Sequence, residues 1–302
     1  MIEKRLIVIV GPTAVGKTRL AIRVAQHFRT EIISADSRQI YKELEIGTAK
    51  PLHHELQQVK HHFIDNKSIH EEYDAGKFGR EAREAIDLLF ERHHHVVMCG
   101  GSGLYVKAVV EGFDELPDVP SDIRAKIIAS YDGKGLAWLQ EEVALHDPDY
   151  FEVVDRKNPQ RLMRALEIIN STGKKFSGFL KKEKINLPFE VVKIGLECER
   201  KELYDRIDMR MDNMIEKGLF DEAQKLLKFR HLNSLQTVGY QEAFEFFEGK
   251  IEREEAIQLM KRNSRHYAKR QLTWFKKDKS IRWFHPEDWN GILKLLGEKA
   301  IK

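Results

Sequence analysis

Residues 5–18 read RLIVIVGPTAVGKT: a run from Arg5 to Val10, a Gly-Pro turn, then Gly16-Lys17-Thr18. Leu6 to Val10 are all apolar and mostly β-branched, the composition of a short strand buried on both faces. Gly11-Pro12-Thr13-Ala14-Val15-Gly16-Lys17-Thr18 matches G-x-x-x-x-G-K-[ST]. From Lys17 the pattern turns helical, with Leu20, Val24 and Phe28 on one face. Strand, loop and helix in this order are the context in which the motif binds a di- or triphosphate. Glycines let backbone N–H groups curl around the anion, and the helix N-terminus adds its positive end. Lys17 brings a point charge to a phosphoryl oxygen, and the Thr18 hydroxyl suits Mg²⁺.

Outward from this segment, EIISA (31–35) is a second short strand ending in Asp36, and HVVMC (95–99) is a third, closed by Gly100 and Gly101. Residues 75–91 form an amphipathic helix and 102–110 another helical stretch, whereas 38–74 reads as irregular. Alternating strands and helices predict an α/β fold: a P-loop NTPase-like parallel sheet covered on both faces. After Gly112 the grain changes. Two prolines fall within 116–120, the pattern to about Lys184 is helical, EVVKIGLEC (190–198) returns to strand, and the remainder, including 201–217 and 254–277, is helical. The expectation is a discontinuous core, 1–115 and 188–302 with C-terminal helices, carrying a helical insertion domain over 116–187.

The 302 residues carry 51 Lys+Arg against 48 Asp+Glu, a formal net charge of +3. No apolar run approaches the ~20 residues of a membrane span, and Leu6–Val10 is too short for a signal-peptide core. Cys99 and Cys198 make no disulfide framework, so the expectation is two buried thiols in a reducing cytoplasm. The charge is unevenly placed: nine Lys/Arg and two Glu over 156–184, and nine Lys/Arg with Asp278 over 261–282. Segregated positive charge suits an anionic polymer, and a pair of solvated helix faces is the plain alternative.

In a parallel sheet the carboxyl ends of the strands share one crevice, which places Asp36 beside the phosphate loop. The third strand ends without the acid that completes the Mg²⁺ site of an ATPase. Asp36 can orient a Mg²⁺-bound water, act as a general base on a second substrate, or cap the following turn, and the residues alone leave all three open. His53-His54, His61-His62 and His93-His94-His95 lack a supporting Cys or H-E-x-x-H frame and read as structural or surface residues, with no zinc.

Beyond the loop, SADSRQIYKELEIGTAKP (34–51), CGGSGLYVKA (99–108), NPQRLMRALEI (158–168) and KRQLTWFK (269–276) follow in an order that resembles the bacterial tRNA dimethylallyltransferase family over nearly the whole chain. The resemblance implies transfer of a dimethylallyl group from dimethylallyl diphosphate to the exocyclic amine of the adenosine 3′ to the anticodon, with Mg²⁺ and a tRNA anticodon stem-loop as partners. Thr13, Gly16, Lys17 and Thr18 would then hold the diphosphate, with Mg²⁺ on Thr18. Asp36 would take a proton from, or hydrogen-bond, the adenine amine. Lys17, Asp36 and Ser102 become the catalytic candidates, Ser102 standing where the family more often has Thr. Ser37, Arg38, Gln39, Arg124, Gln160, Arg161, Leu162, Met163, Arg164, Gln236 and Gln241 fall among the tRNA-contacting positions.

Arg206 and Arg210, four apart on one helix, are placed to clamp the diphosphate or the tRNA backbone, with Asp205 or Asp208 as alternative partners. Arg262, Arg265 and Lys269 form a basic stripe opposite Ile257, Met260, Leu272 and Phe275. Two readings stand against the transferase: a P-loop kinase acting on a nucleotide or small molecule, which consumes ATP, and a nucleotide-switched RNA-binding module, which leaves RNA unmodified. No long apolar face demands a partner, so a monomer is expected.

Overall fold

The computed structural model describes residues 4–114, 116–180 and 185–297. The chain divides into two compact units: Met1–Glu111 with Asn186–Lys302, and Gly112–Ile185. In the larger unit the elements run β1 (Arg5–Val10), α1 (Lys17–His27), β2 (Ile32–Ser34), α2 (His53–Gln58), β3 (His61–His62), α3 (Ala75–Leu89), β4 (His95–Gly100) and α4 (Gly103–Val110). The smaller unit supplies α5 (Ser121–His146), α6 (Pro148–Val153) and α7 (Pro159–Thr172). The larger unit resumes with β5 (Glu190–Leu196), α8 (Arg200–Glu216), α9 (Leu219–Leu226), α10 (Tyr240–Phe247), α11 (Arg253–Phe275), β6 (Arg282–Phe284) and α12 (Trp289–Leu295).

The six strands form one sheet in the order β3-β2-β4-β1-β5-β6, every pair parallel. β1 lies in its centre, in register with β4 (Arg5 opposite His95) and β5 (Arg5 opposite Glu190). Alternation along β1 assigns its side chains to two cores. Leu6, Val8 and Val10 pack with Phe78, Ile86 and Tyr105 on one face, while Ile7 and Ile9 pack with Leu20, Val24 and Ile292 on the other. All five are buried, as a strand covered on both sides requires.

The sheet is wider than the periodicity of the sequence suggests. The stretch 38–74 is not irregular throughout: it holds α2 and the two-residue β3. Beyond α11 the chain is not wholly helical, because Arg282–Phe284 adds β6 at the sheet edge against β5. Both strands are too short to display a period of two, and both are fixed by pairing to a longer neighbour.

In the smaller unit Leu139, Val143, Leu162, Leu166, Ile169 and Phe176 form a separate core. α5 bends at Gly135, whose φ of 76° is left-handed backbone that glycine adopts without cost. The fully buried Asp147 accepts the N–H of Tyr150 and both the N–H and hydroxyl of Ser177, which ties the start of α6 to the turn after α7. Leu162 and Met163, grouped with the tRNA-contacting positions by their motif, turn their side chains into this core. Leu162 is fully enclosed and Met163 is 7% exposed, because the inward face of α7 includes both. Gln160 and Arg161, on its first turn, are exposed. The basic stretch 156–184 ends in Lys181–Lys184, outside the described residues.

Candidate active site

The loop after β1 turns on its glycines. Gly11 has φ of 149° and Gly16, the residue before α1, φ of 103°, so Lys17 and Thr18 open the helix with their N–H groups facing the crevice end. Val15 is fully buried, and Pro12 and Gly11 are enclosed as well, so Val15 and Gly11 can offer an anion only a backbone N–H, and Pro12, which has none, offers no donor. The crevice beside the loop, about 360 Å³, is lined by Thr13, Ala14, Gly16, Lys17, Thr18, Asp36, Arg38, Gln39, Cys99, Arg210, Tyr267 and Gln271 among others. The carboxyl ends of β1, β2 and β4 converge there, as a parallel sheet dictates.

Lys17 Nζ donates to the carbonyl of Pro12 at 2.7 Å. Loss of water around its ammonium pulls the pKa from 10.5 to about 8; Cys99 and Asp36 oppose the shift and the Arg210 charge adds to it. Arg210 donates to Thr13 Oγ1 at 3.2 Å and to the carbonyl of Ala49 at 3.3 Å; burial lowers its pKa, and the Asp36 charge opposes that. Lys17 and Arg210 thus stand near each other with Asp36 as the facing carboxylate. Cys99 lines the same crevice, half-buried, its thiol pushed up to about 12 chiefly by burial and therefore no nucleophile near neutral pH.

Asp36 Oδ1 accepts the N–H groups of Arg38 at 2.9 Å and Gln39 at 3.3 Å, which shapes the turn that follows β2. Ser102 fixes the next residue: its hydroxyl accepts the N–H of Ser37 at 2.9 Å and donates to the Ser37 hydroxyl at 3.1 Å. Arg38 reaches the carbonyl of Gln236 at 3.3 Å, and Gln241 bonds the Gln236 side chain at 2.7 Å, so two sequence blocks 198 residues apart meet at one rim.

A family model described as IPP transferase matches residues 39–278. The chain belongs to the IPP transferase family. A tRNA dimethylallyltransferase of Cytophaga hutchinsonii is 48% identical over 298 residues, covering 99% of this chain and 98% of the relative. The tRNA dimethylallyltransferase 1 of Bacteroides thetaiotaomicron is 47% identical, covering 96% and 94%. Among solved structures, the full-length tRNA isopentenylpyrophosphate transferase of Bacillus halodurans superposes with a TM-score of 0.70 at 38% identity, over 98% of this chain and 94% of that one. A eukaryotic dimethylallyltransferase acting on tRNA superposes with a TM-score of 0.78 at 28% identity, over 99% and 81%.

In this member of the IPP transferase family the remaining candidates are spread more widely. Arg206 pairs with Glu202 at 2.7 Å and lies against the carbonyl of Val15 at 3.4 Å; neither Asp205 nor Asp208 is its partner. Asp208 instead holds Arg265 through both carboxylate oxygens, at 2.6 and 2.8 Å, so Arg265 is engaged while Arg262 and Lys269 on the same helix are exposed. In the smaller unit, Arg124 and Arg164 both face the buried carboxylate of Glu167, at 3.7 and 3.0 Å. His62 and His93 lie against Glu31, and His61 bonds the carbonyl of Val59. Among the described residues no group of three His, Cys, Asp or Glu is placed to hold a metal ion. Tyr267 and Gln271, missed from the sequence, reach the crevice from α11; Gln271 lies within KRQLTWFK, while Tyr267, two residues before that block, carried no signal.

The position of Lys17 has a pH consequence. In the free protein its ammonium is charged below about pH 8 and neutral above it. Affinity for magnesium pyrophosphate is expected to fall between about pH 7 and pH 9.5 in the wild-type chain, by up to about tenfold per unit where the lysine deprotonates. Lys17→Arg, which stays charged throughout, should show a flatter curve. Calorimetric titration at four pH values checks this, and parallel curves for the two proteins count against it.

Proposed function

We propose that this chain transfers the dimethylallyl group of dimethylallyl diphosphate to the exocyclic amine of the adenosine at position 37 of tRNA, 3′ to the anticodon, releasing pyrophosphate. The observation that carries the reading is one crevice holding a phosphate loop, the cations Lys17 and Arg210 and the facing Asp36, next to a β4 that ends in Cys99-Gly100 rather than in an acid. A loop that cradles a leaving pyrophosphate has no need of the acid an ATPase requires.

The amine nitrogen attacks the first allylic carbon, and the carbon–oxygen bond to the diphosphate breaks with its electron pair leaving on pyrophosphate. Lys17, Arg210 and Thr13 stand where that charge develops. Asp36 accepts the proton that the amine loses. Thr18, the hydroxyl at the start of α1, fits Mg²⁺ of the kind held by one side chain, substrate phosphates and water. Such an ion neutralises diphosphate charge when bound. The adenine must leave its stack to reach the crevice, and Ser37, Arg38, Gln39, Ser102, Gln236 and Gln241 form the rim that would receive it. The exposed Gln160, Arg161, Arg262 and Lys269, with Arg124 and Arg164, are assigned to the tRNA backbone. The chain acts as a monomer in the cytoplasm, and among the described residues no helix is long and apolar enough to cross a membrane.

A kinase reading shares the loop but is not favoured, since the relatives are named tRNA dimethylallyltransferases. The deciding test is to incubate the protein with Mg²⁺, dimethylallyl diphosphate and unmodified tRNA, without ATP, and to weigh the nucleosides after digestion. An adenosine heavier by one dimethylallyl group is expected. Unmodified tRNA under conditions where both ligands bind would overturn the reading.

A further inference from the structure

Gln271 on α11 is 6% exposed, and its side-chain amide is used at both ends. Its Oε1 accepts the N–H of Thr13 at 2.8 Å, and its Nε2 donates to the carbonyl of Gly101 at 2.9 Å. One partner is in the phosphate loop, 258 residues away in the chain, and the other follows β4, 170 residues away. Gly101 leaves room for it: a Cβ at that position would lie 2.2 Å from Nε2. The two ends continue into the site. Thr13 Oγ1 accepts from Arg210, and Ser102, next to Gly101, fixes Ser37 beside Asp36.

We infer that Gln271 is a positioning residue that straps the diphosphate end of the crevice to the acceptor end, fixing the separation between the loop and the turn that carries Asp36. The inference rests on the function proposed above, because the two ends matter together only if one group leaves the loop as another attacks from the Asp36 side. Neither bond is charged, so the strap supplies geometry and no field of its own. Its amide is directional: an acceptor toward the loop and a donor toward β4. No apolar side chain reproduces either bond, and a carboxylate reproduces only the first.

That asymmetry provides the test. Gln271→Leu removes both bonds and is expected to lower kcat by about 10²-fold, the scale of a misplacement near 1 Å, with the KM for tRNA within about threefold of wild type. Gln271→Glu keeps the bond from Thr13 but sets a carboxylate oxygen against the Gly101 carbonyl, so at pH 8 it should be as impaired as the leucine variant. Protonation restores the donor, and the activity of Gln271→Glu relative to wild type should rise as pH falls to 6. The facing groups Lys17 on α1, Asp36 after β2, Cys99 on β4, Arg210 on α8 and Tyr267 and Arg270 on α11 are the same in both proteins, so the ratio cancels their contribution to first order. Recovery at low pH on one polypeptide also excludes misfolding as the cause of its defect. A leucine variant within twofold of wild-type kcat, or a Glu-to-wild-type ratio flat with pH, overturns the strap. Wild-type protein that binds magnesium pyrophosphate yet leaves tRNA unmodified overturns the proposed function instead.

Discussion

Asp36→Asn is expected to lower turnover by about 10²–10⁴-fold while leaving the fold and its local turn in place, the usual contribution of a positioned proton acceptor. The asparagine oxygen can still accept the N–H groups of Arg38 and Gln39 that Asp36 Oδ1 holds now, so the turn after β2 keeps its bonds. What disappears is the negative charge facing Lys17 and Arg210 and the site for the amine proton. Asp36→Ala removes the turn bonds as well. Comparing kcat and melting temperature for both variants separates the roles that the sequence left open. A chemical role gives two inactive proteins, of which only the alanine variant is destabilised. A capping role gives an asparagine variant with wild-type turnover, and that outcome would remove Asp36 from the reaction.

Lys17→Met is the second large effect. Among the described residues its Nζ is the only lysine ammonium lining the crevice, and the charge developing on the leaving pyrophosphate is largest in the transition state. A loss of about 10²–10³-fold in kcat is expected, as for removal of one preorganised donor from a water-poor site. Ground-state affinity should suffer less, because Arg210 and the N-terminus of α1 remain. Single-turnover rates with saturating dimethylallyl diphosphate measure the first quantity, and calorimetry with pyrophosphate the second. Equal losses in both would mean that Lys17 holds the substrate without favouring its departure.

The legible parts of this molecule are the parts written locally. RLIVIV followed by Gly11 and Gly16 specifies a buried strand, a loop of positive-φ residues and a helix start within fourteen residues, and Asp36 follows from the one direction in which parallel strands end. β3 and β6 escaped because His61-His62 and Arg282-Trp283-Phe284 are too few residues to carry a period and exist only through their pairing. Leu162 and Met163 show the opposite limit. A motif names five adjacent residues, but a helix of 3.6 residues per turn exposes only some of them, and Leu162, Leu166 and Ile169 fall on the packed face. Gln271 was invisible for a different reason: a polar residue in a basic helix gives no sign of a partner 258 positions upstream.

The central place of β1 also orders events during synthesis. Its pairing with β4 is possible once about 100 residues have emerged, but its other edge waits for Glu190 and the strand that follows. The helices of the smaller unit are finished before that, at Thr172. On the ribosome, therefore, the guest is complete while its host still shows the open side of an apolar strand, the kind of edge that invites pairing with the wrong chain. The interval between residues 10 and 196, more than the final stability of either unit, is where a slow translation step or a bound chaperone has most to protect.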